Sequence, residues 1–566
     1  MEEGKQNLHL VVFFAIIINL IVNVGNFEIQ PWDEGLYAWR AYSIFESGNY
    51  FDQTNEALGG LYSSSPPPLT IWATYFFMKI FGVNEFAIRF FSVLCSIISA
   101  ILIYNISILF LPRKWAILSP LLLSATLVWN NFSRQAMTEI PLNMFIIACF
   151  YLICKIYFEN DKKKNLIYSI LYSVTFAFAI LTKNTISLFP ILFVLIFLLS
   201  NELKEKKYAL IFASLIGIIL ASPWYIYMIN TYGHAFTSAL FPTHINSVVE
   251  GNTRDSGVFY YLNTLIIFLP IIFYLIFSPK AIKNNYNSIK RNYQNNYFLI
   301  NIILWFLAIF FTFSFSQTKN PHYSTYIIPP LILILVYTFS EISKNNLSKL
   351  SLISLIYFGI ACFLWSSFST LRISIKSNNL NLLSTSYIIT LSVIAVLPLI
   401  ILLLNKKQTQ LISKFITSYS FIAILSILLF SKTIYNNVFI DPKINFTAKN
   451  SISYLKSMGA KSFIYLYHKQ NDGDSLYPQL KWYLKQENFK PIVSLIEISN
   501  NKIDFDKLNK IQDLNDKYIV YYASKGLPYI EPTILELLST RLLISFNGNY
   551  LIFSKSVRPI KNKTTI

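Results

Sequence analysis

The stretch LHLVVFFAIIINLIVNVGNFEIQPWDEGLYAWRAYSI, residues 8–44, decides the fold class. Residues 8–24 are almost entirely apolar, and a helix of that length can cross the hydrocarbon core of a bilayer. The run is longer than the apolar part of a signal peptide, and no small-residue cleavage site follows it. Two adjacent carboxylates, Asp33 and Glu34, come after it. The stretch therefore predicts a membrane helix that leads into an acidic segment at the membrane surface.

The composition extends this prediction to the whole chain. Of its 566 residues, 54% are hydrophobic and only 13% are charged, which is too few charges for the surface of a soluble protein of this size. Long apolar runs recur through the first three quarters and predict a polytopic α-helical membrane protein with about 13 transmembrane helices. They lie at residues 8–24, 86–111, 115–129, 137–158, 165–182, 186–200, 208–228, 259–278, 297–315, 324–342, 350–370, 384–404 and 415–434.

The basic residues indicate orientation. A net charge of +19 is compatible with nucleic-acid binding, but the lysines fall on every second connection, as in KIYFENDKKK (155–164) and NELKEKK (201–207). The positive-inside rule places these connections and the N-terminus in the cytoplasm. We therefore expect no nucleic-acid partner, and a multi-pass membrane protein whose C-terminal part lies outside the cytoplasm.

The composition changes near residue 435, which divides the chain into a transmembrane domain, 1–434, and an extracytoplasmic domain, 435–566. Short β-rich runs alternate there with polar stretches that could form amphipathic helices, which predicts a small α/β domain. The β-rich runs are KSFIYLYHK, KYIVYYASK, RLLISF and NYLIFSK. In the transmembrane domain, we expect the outer loop 25–85 to carry interfacial helices, since three prolines (66–68) precede an amphipathic stretch too short to span.

Ionisable side chains collect on the predicted outer face. Asp33 and Glu34 could belong to a solvated loop, Glu139 could merely favour a helix N-terminus, and Lys183 could be a snorkelling lysine. Together they suggest a site, in which carboxylates suit proton abstraction or sugar recognition and basic or phenolic groups suit a phosphate. The further candidates are Tyr62, His244, Arg254, Lys319, His322, Tyr323 and Tyr326. A sugar linked to a lipid phosphate would suit both the carboxylates and the basic or phenolic groups.

Several motifs, in this order, resemble the bacterial glycosyltransferase family 39 group of the GT-C superfamily, whose relatives include protein O-mannosyltransferases and lipid A aminoarabinose transferases. The motifs are WDEGLYAWRA, PPPLTIWAT, GVNEFAIRFFSVLCS, TEIPLNMF, LTKNTISLFP, SPWYIYM, GVFYYL and SQTKNPHYSTYIIPPLILIL. The resemblance implies a GT-C fold and an inverting transfer of a sugar from a polyprenyl phosphate to a lipid, glycan or protein acceptor outside the cytoplasm.

The resemblance also implies roles for individual residues. Asp33 matches the acidic residue of the first outer loop, with Glu34 beside it, and Glu139 matches an acidic residue before xPL. Lys183 matches the lysine of an LTKG segment, although Asn184 stands in place of the glycine. Arg254 matches a basic residue upstream of FYYL. Tyr326 matches the tyrosine of a YILP segment.

One departure concerns the segment YSSSPPPL, residues 62–69. Aminoarabinose transferases carry an acidic residue and a lysine directly before the double proline, and both are missing here. This counts against transfer of aminoarabinose to lipid A and against a bound zinc, so no metal ligand or cofactor is assigned. A divalent metal is possible, but the sequence does not support it.

The sequence leaves the chemistry partly open. If the acceptor is a hydroxyl, Asp33 is the candidate base, with Glu34 or Glu139 orienting sugar and acceptor; a phosphate acceptor needs no base. A ligase or polymerase of lipid-linked glycans would also work at the outer face. A transporter should instead show charges near the middle of its helices.

The orientation is testable with a reporter that is active only outside the cytoplasm. Fused after Ile566, the reporter should be active, and inserted near Lys163 it should be silent, because the basic connections stay inside. The reverse pattern would place every candidate site residue in the wrong compartment.

Overall fold

The computed structural model describes residues 2–30, 33–55, 60–198, 204–240, 261, 293–316, 319–342, 433, 448–468, 477–499, 502–503, 510–511, 516–522, 541, 543–547 and 550–555. The predicted helices at 350–370 and 384–404, and nearly all of those at 259–278 and 415–434, lie outside these residues. The same is true of His244 and Arg254.

The described residues form helices both within the predicted apolar runs and between them. They are α1 Glu2–Ile21, α2 Asp33–Ser47, α3 Leu61–Ser64, α4 Leu69–Phe81, α5 Glu85–Ser107, α6 Arg113–Ala116, α7 Leu118–Ala125, α8 Leu127–Ser133, α9 Glu139–Phe158, α10 Lys162–Thr182, α11 Phe189–Leu198, α12 Lys204–Tyr232, α13 His234–Leu240, α14 Tyr293–Phe315, α15 Ser324–Ile342, α16 Ala448–Ser457 and α17 Tyr477–Gln486. Two 3₁₀ turns, Thr185–Leu188 and Pro321–Tyr323, precede α11 and α15.

Four of the described helices are long and apolar enough to cross a membrane: Glu85–Ser107, Glu139–Phe158, Lys162–Thr182 and Lys206–Tyr232. Each coincides with a predicted span to within a few residues. These four helices confirm the prediction of a helical membrane protein.

The apolar run 115–129 is not one spanning helix, contrary to our expectation. It is divided among α6, α7 and α8, and the break between the last two falls at Thr126, whose backbone is extended (φ −69°, ψ 119°). The Thr126 hydroxyl donates to the Leu122 carbonyl at 2.9 Å, and such local bonds compete with the helical ladder. Hydropathy alone did not reveal this break, because the short helices are almost as buried as a span.

Helices α10 and α12 pack closely at a glycine. A Cβ atom on Gly217 of α12 would lie 2.8 Å from Cδ1 of Phe176 and 2.9 Å from the Ser173 carbonyl oxygen of α10. Away from this contact, both helices expose large apolar side chains such as Ile170 and Ile219, as a membrane-facing surface requires.

Residues 25–85 contain α2, α3 and α4, and α2 packs against α4. Helix α2 buries one face, including Trp39 and Ile44, while α4, with 13 residues, is too short to span and exposes Phe76 and Ile80. The carboxylates Asp33 and Glu34 therefore begin a packed helix and do not belong to a solvated loop.

Residues 448–555 contain a six-stranded sheet of order β3-β2-β1-β4-β6-β5. The strands are β1 Ser462–His468, β2 Ile492–Ser499, β3 Lys502–Ile503, β4 Tyr518–Tyr522, β5 Leu543–Asn547 and β6 Tyr550–Phe553. Strand β1 pairs in parallel with β2 and β4, and the remaining pairs are antiparallel. Strand β2 was absent from the β-rich runs recognised in the sequence.

Helices α16 and α17 dock this unit onto the segment that precedes α2. The Ile29 amide donates to the Tyr483 hydroxyl at 2.9 Å, and Nε2 of Gln479 donates to the Ile29 carbonyl at 2.5 Å. Glu28 accepts the amides of Ala448 and Lys449 at the start of α16. Burial raises the pKa of Glu28 to about 7 despite these bonds.

The close packing of α10 and α12 predicts that a larger side chain at Gly217 destabilises the protein. Gly217→Leu should lower the free energy of unfolding by about 1–3 kcal/mol, the usual cost of overpacking. Thermal unfolding of the detergent-purified protein measures this, with Ser222→Leu as the control because Ser222 of the same helix is more exposed. Equal melting temperatures for both variants would contradict the contact.

Candidate functional site

Four ionisable side chains meet where several helices end. Asp33 is the first residue of α2 and Glu139 the first of α9, while Lys183 directly follows α10 and His322 lies in the 3₁₀ turn before α15. Helix ends place side chains at the membrane surface and leave backbone groups without helical partners, so polar residues are favoured there. Residues far apart in sequence thus form one polar cluster.

Glu139 lies at the centre of the cluster and is 2% exposed. Its Oε1 accepts a bond of 2.5 Å from Nζ of Lys183 and lies 3.6 Å from Nε2 of His322. Its Oε2 has no hydrogen-bond partner among the described residues. A buried carboxylate oxygen normally has a donor, so this atom is available to a ligand.

Lys183 remains charged beside Glu139. Burial is the largest single effect and would lower its pKa, but Glu139 and the nearby tyrosines together outweigh burial and raise the pKa of Lys183 well above its usual value. The ammonium also lies 5.3 Å from the centre of the Tyr323 ring. Since the side chain is 21% exposed and an ammonium has three donors, Lys183 can bind a further anion.

Burial lowers the pKa of the His322 imidazole, and the Glu139 carboxylate acts in the opposite direction. Its ring meets Phe132 and Tyr323 edge-on, with centroid distances of 5.8 Å and 4.5 Å. The Tyr326 hydroxyl on the next helical turn is fully buried and has no hydrogen-bond partner within the described part of the chain. Tyr326 and Glu139 thus each bring an unpaired polar atom to the site.

Asp33 is half-buried and shares the electrostatic environment of this cluster. Burial raises the pKa of Asp33; His322 and Lys183 oppose this increase and Glu139 adds to it. Tyr37, one turn along α2, remains a protonated phenol, because burial raises its pKa as well. An aspartate with a raised pKa is a stronger base than an ordinary surface carboxylate.

Glu34 is held differently from its neighbour. Its carboxylate is enclosed by protein, and Oε1 accepts from Nε of Arg89 at 2.7 Å and from the Ala136 amide at 2.9 Å. Its Oε2 accepts from Nη2 of Arg89 at 3.0 Å and from the Gln30 amide at 2.7 Å. Both oxygens are therefore occupied by bonds within the protein.

Two buried arginines organise the segment between α1 and α2. Arg89 donates to the carbonyls of Val24, Phe27 and Glu28, and Arg134 donates to those of Asn19, Leu20 and Val22. Both guanidinium groups also lie against the Phe27 ring. Sequence analysis did not single out these arginines; Arg89, a charge within an apolar run, was the available signal.

The other predicted residues lie elsewhere or are not described. Lys319 donates to the Phe313 and Ser314 carbonyls at the end of α14, so its ammonium is bound there. Tyr323, by contrast, lines the cluster through its contacts with Lys183 and His322. The Tyr62 side chain, His244 and Arg254 lie outside the described residues. Within the described part of the chain, no three His, Cys, Asp or Glu side chains form a metal-binding group.

Comparisons with known proteins bear on the fold that carries this cluster. Residues 65–227 match the dolichyl-phosphate-mannose-protein mannosyltransferase family model. The structure of ArnT from Cupriavidus metallidurans bound to undecaprenyl phosphate covers 98% of this chain with a TM-score of 0.66 at 15% identity, and 99% of that chain is matched. The chain has the GT-C fold.

The GT-C resemblance is confirmed by sequence relatives as well. An uncharacterised protein of Aquifex aeolicus is 27% identical over 63% of this chain and 67% of its own length. The undecaprenyl phosphate-α-4-amino-4-deoxy-L-arabinose arabinosyl transferase of Shewanella sediminis is 24% identical over 63% of this chain, and the match spans 64% of that relative. The chain is thus related to the aminoarabinose transferases over part of their length.

The enclosed Glu34–Arg89 pair predicts a large effect of removing one partner. Arg89→Met should lower the free energy of unfolding by about 3–5 kcal/mol, because Glu34 is left charged and three carbonyls lose their donor. Thermal unfolding of purified protein measures this, and Lys79→Met on the exposed α4 is the control. A melting temperature equal to that of the control would show that the pair does not support the fold.

Proposed function

We propose that this protein is an inverting glycosyltransferase that moves a sugar from a polyprenyl phosphate to a lipid, glycan or protein acceptor at the outer face of the bacterial inner membrane. The observation that carries the proposal is the cluster of Asp33, Glu139, Lys183 and His322 at the ends of helices in a GT-C fold. The unpaired Glu139 Oε2 and Tyr326 hydroxyl supply bonding positions for a ligand.

In this proposal, Lys183 binds the donor phosphate. Cleavage of the bond between the sugar carbon and the phosphate oxygen leaves polyprenyl phosphate as an anion, and a fixed ammonium stabilises the charge that develops. Tyr323 and Tyr326 line the same place. Arg254 is assigned to the donor by resemblance, and His244 and Tyr62 remain candidates from the sequence. The undecaprenyl phosphate in the ArnT structure is consistent with such a donor.

Asp33 is the proposed base when the acceptor is a hydroxyl. It takes the hydroxyl proton as the acceptor oxygen attacks the sugar carbon from the side opposite the phosphate, which inverts that carbon. The raised pKa of Asp33 favours proton uptake, and the reaction produces the glycoside, polyprenyl phosphate and a protonated Asp33. Protonation of Asp33 at low pH should therefore slow the reaction.

Glu139 and Glu34 have different proposed roles. Glu139 fixes Lys183 through Oε1 and presents Oε2 to the sugar or acceptor. Glu34 is a positioning residue, because both of its oxygens are bonded within the protein and only its neighbour Asp33 is in the cluster. The N-terminus is assigned to the cytoplasm and residues 435–566 to the outer side.

The test compares envelope glycans by mass spectrometry in cells with the gene, without it, and with Asp33→Asn. A sugar that is lost without the gene should be restored by the unaltered protein, while Asp33→Asn should lower its amount by about 100-fold, the scale of losing a positioned base. The molecule that loses the sugar identifies the acceptor class.

Two controls make the result specific. Glu46→Gln, near the exposed end of the same helix, should restore the product fully. Purified Asp33→Asn should still bind undecaprenyl phosphate in native mass spectrometry, because Asp33 is assigned to chemistry and not to the lipid. Normal product from Asp33→Asn would remove it as the base, and unchanged glycans without the gene would refute the transferase.

A further inference from the structure

A second cavity lies at the opposite ends of the helices that form the site. It is a groove of about 680 Å³ between the start of α10, the start of α12 and the end of α9. The groove is lined by Ile156, Asn160, Lys162, Asn165, Leu166, Ser169, Ile170, Ser173, Lys206, Ala209, Phe212, Ala213 and Ile216. Helix α10 has 21 residues, so about 30 Å separate Lys162 from Lys183. The groove is therefore remote from the proposed donor site.

The packing of α10 and α12 explains the open space. The helices touch at Gly217, and toward their starting ends the facing side chains are small, namely Ser169, Ser173, Ala209 and Ala213. Large lining residues such as Ile170 and Phe212 point outward and are more than half exposed. Because both helices are candidate membrane spans, the groove opens sideways to the acyl chains of the bilayer.

The rim of the groove is basic. Nζ of Lys206 donates to the carbonyls of Tyr157 and Glu159 at 2.8 Å and 2.6 Å, which fixes its charge at the rim. Lys162 is exposed beside it, and Oδ1 of Asn165 is buried without a hydrogen-bond partner in the described residues. An ammonium has three donors, so Lys206 retains one for another acceptor.

Two carboxylates, Glu159 and Asp161, lie next to this rim, and Glu159 interacts electrostatically with Lys206, but the lysines at 162, 163, 164 and 206 outnumber them. Glu159 accepts the amides of Asn160 and Asp161 and lies 3.8 Å from Lys164, while Asp161 accepts the Lys163 amide at the start of α10. None of the described residues that line the groove is acidic. A positive rim above an apolar wall is complementary to a lipid with an anionic head and a hydrocarbon tail.

We propose that this groove binds an anionic phospholipid of the surrounding bilayer. The phosphate contacts Lys162 and Lys206, a headgroup hydroxyl donates to Asn165, and an acyl chain lies along Leu166, Ile170 and Phe212. The proposal does not depend on the transferase activity, since it rests on a different set of residues at the other end of the spans.

The test is native mass spectrometry of the delipidated full-length protein with phosphatidylglycerol or phosphatidylcholine of the same acyl chains. The unaltered protein should bind phosphatidylglycerol more tightly. Lys162→Ala should weaken that binding by about fivefold, the effect of one basic residue on an anionic lipid, while Lys163→Ala, which removes an equal charge outside the groove, should not. Equal binding of the two lipids, or equal losses in the two variants, would overturn the proposal.

A second pair of variants tests whether the apolar wall of the groove binds the acyl chain. Ala209→Phe fills the groove from an exposed position and should weaken binding of phosphatidylglycerol, whereas Leu215→Phe, on the exposed side of the same helix but outside the lining, should leave it unchanged. Thermal unfolding confirms that both variants are folded. If Ala209→Phe instead weakens binding of undecaprenyl phosphate and leaves phosphatidylglycerol unaffected, the groove holds a polyprenyl lipid and the proposal is wrong.

Discussion

The enclosed ion pair between Glu34 and Arg89 is the interaction on which the segment between α1 and α2 depends. A carboxylate withdrawn from water is tolerated only when a countercharge and further donors surround it, and Arg89, Ala136 and Gln30 provide them. The same arginine binds the chain as it leaves α1. One charge pair therefore connects the chain after α1, the start of α2, helix α5 and the approach to α9.

This constraint separates two neighbouring carboxylates into different roles. Glu34 is immobilised on one side of α2, so Asp33, the adjacent residue, must point in another direction, toward Glu139, Lys183 and His322. In that cluster, Lys183 is already paired with Glu139, and burial is the largest effect on the Asp33 carboxyl, so the pKa of Asp33 is raised.

Much of this arrangement could be predicted from sequence, because residues at helix ends are recognisable from the ends of apolar runs. The alternation of basic residues between successive connections was enough to predict one common face for Asp33, Glu139, Lys183, His322 and the tyrosines after it. The pairing of Glu34 with Arg89 was not predictable, since the partners are 55 positions apart and only tertiary packing joins them.

In three other places, local interactions override what the sequence patterns predict. The 115–129 run has the hydropathy of a span, yet one threonine hydroxyl and an extended backbone interrupt it. Strand β2 contains Glu497 and two serines within its apolar sequence, so it resembled a loop until β1 supplied its partner. Lys319 has the charge of a phosphate ligand, but the nearer carbonyls of its own helix end bind it.

The docking of α16 and α17 has a consequence for biosynthesis. The amide and carbonyl of Ile29 are satisfied by Tyr483 and Gln479, which are 454 and 450 positions later in the chain. Contacts of such long range form late, and a ribosome adds about 5–20 residues each second. For roughly 20 to 90 seconds after Ile29 is translated, the segment before α2 therefore lacks the hydrogen-bond partners that hold its backbone in the finished protein.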